Sequence, residues 1–162
     1  MQQNQLQMLQ KQLQGLPQEA QKQQLNQIIH QVVPIFGTCG INVEQLTTDQ
    51  CTTTLASEKR VHNQVGSIQS AAIILTAESA MGLLISLNLP PGQVALVSNV
   101  NTDFLKKARG SIQAQAQLPT SQSELFQTQE KGNFSLQVDV TDETNAIIAT
   151  CKADWYWFPA KK

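Results

Sequence analysis

The sequence predicts an α+β domain in which an antiparallel sheet of about six strands wraps around one long central helix. The first observation behind this prediction is an apolar run that follows Ser67 and continues to Leu87. The second is that two β-type segments precede this run and four follow it, with alternating or β-branched residues. The third is that most of the turns are short, which favours antiparallel pairing.

Size and composition restrict the possible classes of protein. A chain of 162 residues fits one domain with a real core. A formal net charge of −1 gives no electrostatic reason to expect nucleic acid or an anionic membrane as a partner. The three cysteines and two histidines have no metal-ligand spacing, so we expect reduced thiols, no metal and no resident cofactor. With no signal-like apolar segment at the N-terminus, we expect a cytoplasmic protein.

The first 33 residues are rich in glutamine, of which the whole chain has 25. Leucines at helical spacing predict a first helix, a Gly-Leu-Pro sequence at residues 15–17 ends it, and a second helix runs from Pro17 to about Val33, where Pro34 stops it. We therefore expect residues 1–33 to form an N-terminal helical segment and residues 34–162 the main domain. Composition does not decide whether the first dozen residues are ordered or mobile.

The strand segments lie on both sides of the central helix. A hairpin is predicted for residues 41–44 and 51–56, which a polar turn joins. Four further strands are predicted at residues 94–105, 111–118, 133–139 and 146–158. Residues 106–110 form a basic turn between the first two of these strands, and residues 141–145 form an acidic turn between the last two.

The central helix contains the best functional clue in the chain. We expect Ser67 to be its N-cap, and apolar residues on every side predict that protein encloses it. Glu78, in the middle of the helix, argues against a membrane span. A buried carboxylate must be paired, hydrogen-bonded or protonated, so Glu78 is either a functional group or a structural one that is bonded to loop N–H groups or to Asn63.

The residues around this helix start resemble those of the hotdog-fold acyl-CoA thioesterases of the phenylacetate-pathway type, and most of all an uncharacterised bacterial branch of that superfamily. The resemblance extends over roughly residues 34–158. It depends on the pattern Asn63-x2-Gly66-Ser67-Ile68-Gln69-Ser70-x7-Glu78, on residues 34–41 and on the basic turn. Two positions differ from the family pattern. Gln69 stands where most relatives have a histidine, and Ser70 stands where many have a glycine.

The resemblance implies a hotdog fold and a set of site residues. Glu78 would be the nucleophile or general base, Asn63 would orient water or substrate from the other subunit of a dimer, and the Ser70 backbone N–H would polarise the thioester carbonyl. Gly66, Ser67 and Gln69 would line the substrate at the loop, and Lys106, Lys107 and Arg109 would lie near the phosphates of coenzyme A. Asn63 is equally well interpreted as a turn residue that brackets its loop, and the basic residues as a solvated turn.

We therefore expect a homodimer, or a tetramer, that hydrolyses an acyl-CoA-type thioester. The thioester is the substrate, and an acyl carrier protein is the other possible donor of the acyl group. Gln69 cannot titrate and Ser70 could crowd a carbonyl, so a catalytically weakened acyl-CoA or acyl-carrier binding protein is the alternative. A structural homo-oligomer without a ligand is a third interpretation.

Overall fold

The computed structural model describes residues 4–160. The helices are α1 (Gln5–Leu13), α2 (Gln18–Val32), α3 (Pro34–Cys39), α4 (Ser70–Asn88) and α5 (Thr120–Thr128), with a short 3₁₀ helix at Lys59–Val61. The strands are β1 (Ile41–Leu46), β2 (Gln50–Leu55), β3 (Gln93–Phe104), β4 (Ile112–Gln117), β5 (Gly132–Asp142) and β6 (Ile147–Pro159).

The six strands form one antiparallel sheet in the order β1-β2-β4-β5-β6-β3. All six lie within a few residues of their predicted positions. The sheet curls around α4, which packs mainly on β4 and β2. The small residues Ala114 and Ala116 on β4 are fully buried, so the helix can approach the sheet closely. The predicted fold class, including the hotdog arrangement of sheet and helix, is confirmed.

The central helix differs from the prediction in two respects. It begins at Ser70 with Gln69 as its N-cap, so the prediction of Ser67 in that position was wrong. Its enclosure is also incomplete. Ala71, Leu75, Glu78 and Gly82, which follow one another at helical spacing, stay exposed or half-exposed, and we call these four residues the open stripe. A helix that is apolar on every side gives no periodic signal for the side that the sheet leaves uncovered.

Two helices were not predicted. Pro34 ends α2 as expected, but it also begins α3, because proline is well suited to a first helical position. Helix α5 has a mostly polar sequence with a single aromatic residue, Phe126, which is fully buried. Phe126 packs edge-on against Phe134 and Trp157 with ring centroids 5.2 and 5.1 Å apart. A tertiary aromatic contact thus holds this helix in place, rather than an amphipathic pattern.

The N-terminal helices pack on the rest of the domain. The side-chain amide of Asn4 donates to the carbonyls of Ser86, Leu87 and Leu89 at the end of α4, and Gln7 donates to Leu87 as well. These bonds satisfy carbonyls that the last helical turn leaves without partners. Residues 1–3 of the predicted first helix lie outside the described residues.

Helix α4 is long and apolar enough to cross a membrane by length and composition. In this fold it is the core helix of the domain, with most of its residues buried against the sheet.

Candidate active site

The loop before α4 is organised by Asn63. Its side-chain oxygen accepts from the backbone N–H groups of Val65 (3.0 Å) and Ser67 (3.1 Å). The backbone N–H of Asn63 donates to the Ser67 carbonyl at 2.7 Å. Gly66 closes the turn with φ at 71°, a left-handed conformation that glycine adopts without strain. Asn63 therefore brackets its loop, as one of the two interpretations predicted, and Ser67 is buried within that loop.

The start of α4 leaves one amide group free. The Gln69 side chain accepts from the Ala71 N–H, and the Gln69 carbonyl accepts from Ala72 (3.0 Å) and Ile73 (3.2 Å). Among residues 4–160, no acceptor bonds the N–H of Ser70, which is exposed. Because the helix dipole adds partial positive charge at this end, the free N–H of Ser70 is suited to polarise a carbonyl oxygen.

Glu78 is half-buried and has no partner for its charge. Within the described residues no hydrogen bond or ion pair reaches its carboxylate, and burial raises the pKa of Glu78 above its usual value. The bonds to loop N–H groups or to Asn63 that the structural interpretation predicted are not formed within residues 4–160. A carboxyl group whose pKa is raised by burial is a better proton acceptor near neutral pH than an exposed one.

Trp155 and Gly82 form part of the environment of Glu78. A Cβ atom added to Gly82 would lie 3.1 Å from Cη2 of Trp155 and 3.6 Å from Oε1 of Glu78, so ring and carboxylate both contact this glycine. Burial raises the pKa of the Cys151 thiol, the Thr102 hydroxyl opposes this, and the nearby Glu78 carboxylate adds to the rise. The sequence offered one signal for this environment. Gly82, one turn after Glu78, is the single glycine of α4.

The inner face of β3 is only partly covered. Cross-strand pairing joins Ala95 to Trp157 and Val97 to Trp155, so these β3 residues share the inner face with the two buried tryptophans. Val97 nevertheless stays 38% exposed, because α4 packs on the opposite half of the sheet. The inner face of β3 and the helix stripe that contains Glu78 are therefore both partly exposed.

The basic residues lie in the loop of residues 106–110 between β3 and β4, which we call the basic loop. Lys106, Lys107 and Arg109 are exposed. Within residues 4–160 the ion pairs involve Lys22 and Arg60, and no carboxylate pairs with the basic loop.

The predicted residues therefore form two groups. Asn63, Gly66, Ser67, Gln69 and Ser70 surround the helix start, and Glu78 lies farther along the same helix on its open stripe. The cations of the basic loop form the second group. A surface groove between α1, α2 and β1 contains none of these residues. No cluster of three metal-ligating side chains occurs in the described part of the chain.

Comparison with known proteins gives one family match. The model of the family described as Domain of unknown function (DUF4442) matches residues 21–157, which is most of the chain. No curated protein matches the sequence.

Solved structures share the fold at low sequence identity. A Pseudomonas aeruginosa protein, described as of unknown function and as a probable thioesterase, aligns with a TM-score of 0.76 at 20% identity, over 89% of this chain and 97% of that one. A thioesterase from Haemophilus influenzae has a TM-score of 0.72 at 18% identity, over 87% and 92% of the two chains. A thioesterase from Staphylococcus aureus has a TM-score of 0.67 at 15% identity, over 78% and 99%.

Proposed function

Because the chain belongs to the DUF4442 family and has the hotdog fold, we propose that it hydrolyses a thioester, with an acyl-CoA-type thioester as its substrate. The observation that carries this proposal is the unpaired, half-buried Glu78 on the open stripe of a helix whose first N–H is free. Several structures of the same fold belong to proteins described as thioesterases, which favours the same reaction class.

In the proposed reaction Glu78 acts on the thioester as a general base or as a nucleophile. As a base it takes a proton from a water molecule whose oxygen attacks the carbonyl carbon. The carbon–sulfur bond then breaks, and the leaving thiolate receives the proton to give a free acid and a free thiol. As a nucleophile its oxygen attacks the carbonyl carbon, the carbon–sulfur bond breaks and the thiolate leaves. Water then cleaves the acyl anhydride, which returns the Glu78 carboxylate and gives the free acid and the proton that the thiolate takes up. Gln69 cannot titrate, so in the general-base route proton transfer falls to Glu78.

The helix start supplies the electrostatic part of the mechanism. The free N–H of Ser70 donates to the oxygen that gains negative charge, and a fixed donor of this kind lowers a barrier by roughly 3–4 kcal/mol. Asn63 orients water or substrate through its side-chain nitrogen, since its oxygen is occupied by the loop. Gly66, Ser67 and Gln69 shape the loop along which the thioester lies.

The substrate carries phosphate groups that suit the basic loop. Lys106, Lys107 and Arg109 are exposed cations without carboxylate partners in the described residues, and such groups bind phosphate oxygens well. Coenzyme A enters as part of the substrate, not as a resident cofactor, and an acyl carrier protein is the other donor of this chemistry. A location in the cytoplasm agrees with this substrate class.

We propose that the working form is a homodimer, which a tetramer could extend. The inner face of β3 and the open stripe of α4 are both partly exposed, and β3 is a long edge strand. A second copy that pairs along β3 would cover both and would bring its own Asn63 loop toward Glu78. The near-neutral net charge gives no support for nucleic acid as a partner.

A binding protein without turnover is the second candidate. The side chain of Gln69 is engaged in capping α4, and Ser70 has a side chain where many hotdog thioesterases have none. Both features favour a pocket that retains the acyl ligand but lacks efficient chemistry. The structural homo-oligomer is the remaining candidate.

The decisive experiment measures release of free thiol from short, long and aromatic acyl-CoA substrates. We expect turnover by the wild type and a loss of about 10²–10⁴-fold in Glu78→Gln, the range for removal of a general base. Glu130→Gln, the same change at an exposed position, is the control and should retain full activity. Equal turnover in wild type and Glu78→Gln would remove Glu78 from the mechanism. No turnover with saturable coenzyme A binding would favour the binding protein, and no binding would favour the structural oligomer.

The raised pKa of Glu78 adds a check on pH dependence. The base must be deprotonated, so activity should fall with decreasing pH around a pKa above the usual glutamate value of 4.5. The stability of the fold changes with pH in the opposite direction. Because the folded state binds the Glu78 proton more tightly than the unfolded state does, the free energy of unfolding falls as pH rises and the carboxyl group loses that proton. The Tm of Glu78→Gln should therefore exceed that of the wild type increasingly as pH rises through this range.

A further inference from the structure

The acidic turn between β5 and β6 holds the basic loop through its backbone. Asp142 is buried, and its Oδ2 accepts from the N–H of Arg109 at 3.0 Å. Its Oδ1 accepts from the hydroxyl and the N–H of Thr144 at 2.6 and 2.9 Å. The Thr144 hydroxyl, aided by backbone N–H groups that include that of Arg109, lowers the pKa of Asp142 to about 2. Asp142 therefore stays ionised and fixed at every physiological pH.

Glu143 makes the second connection. Its Oε1 accepts from the N–H of Ser111 at 2.8 Å, and its carboxylate lies against Gly110. Gly110 has φ at 72°, and a Cβ atom there would overlap the carboxylate. The N–H groups of Leu105 and Lys106 donate to the Ile148 carbonyl at 2.8 and 3.2 Å. Both ends of the basic loop are thus tied to the β5–β6 hairpin.

These contacts have an unusual electrostatic result. The carboxylate of Asp142 bonds a backbone amide of the basic loop and that of Glu143 bonds the amide just after it, while no ion pair to Lys106, Lys107 or Arg109 forms within the described residues. The three cations share one short loop and form no ion pair in the described residues, so the repulsion between them is only partly offset by the two nearby carboxylates. An anionic ligand would relieve that repulsion, and a loop that is already ordered loses less entropy when it binds.

We propose that Asp142 and Glu143 are positioning residues that hold the basic loop ready to receive the phosphate-bearing end of the substrate. This inference rests on the proposed function, because it names the part of an acyl-CoA thioester that the loop recognises. The two residues touch no substrate themselves. They act on binding of the phosphates and leave the chemistry at Glu78 unchanged.

The test compares two substrates with the same acyl group, the coenzyme A thioester and the N-acetylcysteamine thioester, which lacks phosphate. For Asp142→Asn we expect KM for the coenzyme A thioester to rise about five-fold or more with kcat unchanged. The kcat/KM for the N-acetylcysteamine thioester should not change. Asp139→Asn, at an exposed position on the same strand, is the matched control. Glu143→Gln is measured in parallel and should show the same rise in KM for the coenzyme A thioester alone. It tests the inference if Asp142→Asn does not fold.

The outcomes separate this inference from the proposed function. An equal effect on both substrates would mean a purely structural role and would overturn the inference, as would no effect on either. Should the wild type release no thiol, calorimetric titration with coenzyme A itself replaces kinetics. Weaker coenzyme A binding by Asp142→Asn than by wild type would support the inference, and equal affinity, or no binding by the wild type, would overturn it.

Discussion

The two edges of the sheet are treated in opposite ways. At the β1 edge, side chains of the N-terminal helices replace a neighbouring strand. Asn26 accepts from the Val43 N–H at 2.7 Å and donates to the Val43 carbonyl at 2.9 Å, as a peptide group would. His30 Nε2 lies 2.7 Å from the Ile41 oxygen, and Gln10 donates to the Leu46 carbonyl at 2.8 Å. This edge is closed to further strands.

The β3 edge has no such cover in the described residues. The strand is 12 residues long, and it exposes apolar side chains on both faces, among them Leu96 at 59% and Val97 at 38%. A long apolar edge strand invites pairing with another chain. One sheet edge is thus sealed by side chains of the same chain and the other is left exposed, which supports the proposal that β3 pairs with a second copy.

The largest expected effect comes from charging the β3 edge. Val97→Asp would bury an unpaired carboxylate from each copy at the proposed interface, which costs about 3 kcal/mol or more and weakens dimerisation at least about 100-fold. Sedimentation velocity over a concentration series should show a dimer for the wild type and a monomer for Val97→Asp. The rate of thiol release should fall as the fraction of dimer falls.

Val32→Asp provides the control, because Val32 is more exposed than Val97 and lies on α2. It should leave the dimer intact. A wild type that sediments as a monomer at every concentration would refute the role of the β3 edge, and so would a Val97→Asp variant that remains dimeric.

A smaller effect is expected at the closed edge. Asn26→Leu keeps the size of the side chain but leaves the Val43 N–H and carbonyl buried without partners, which should lower the free energy of unfolding by about 2–4 kcal/mol. Urea denaturation measures this loss, and faster amide exchange at Val43 would localise it. Gln27→Leu, the next and exposed residue of α2, should change stability little. Equal stability of the two variants would mean that Asn26 does not seal the edge.

The smallest effect concerns the ion pair beside that edge. Lys22 Nζ lies 2.8 Å from Glu44 Oε2, and the Lys22 hydrogen bond holds the pKa of Glu44 below its usual value. Both groups are partly exposed, so Lys22→Met should lower Tm by only about 2 °C or less. The contribution of Glu44 should be lost as pH falls from its usual pKa through the lowered value. A Tm change larger than that of Asn26→Leu would contradict the ranking of the contacts.

Sequence reasoning succeeded where a local pattern decides the structure. Alternation identified β4 and β5, and the apolar run identified α4. It failed where distant residues decide. Ser67 has the better capping side chain, but its N–H and carbonyl bond Asn63, so the helix begins at Ser70 with Gln69 as its cap. Helix α5 depends on Phe126 meeting Trp157, a contact that no local pattern predicts.

The candidate site followed the same division. Its residues could be listed from a motif, because Asn63, Ser70 and Glu78 keep fixed spacing along the chain. The surroundings of Glu78 could not, since Trp155, which lies against Gly82 one turn after Glu78, comes from a strand far along the sequence. The catalytic roles of Asn63, Ser70 and Glu78 and the phosphate role of the basic loop remain predictions for the experiments above.

The bonds from Asn4 to the end of α4 have a consequence for synthesis of the protein. Asn4 is separated from Leu89 by 85 positions, so its partner emerges from the ribosome roughly 4–17 s later at rates of about 5–20 residues per second. Throughout that interval the N-terminal helix cannot make these contacts, because the carbonyls that it caps do not yet exist. The first described segment of the chain is therefore among the parts that dock late, and its docking marks the completion of the central helix.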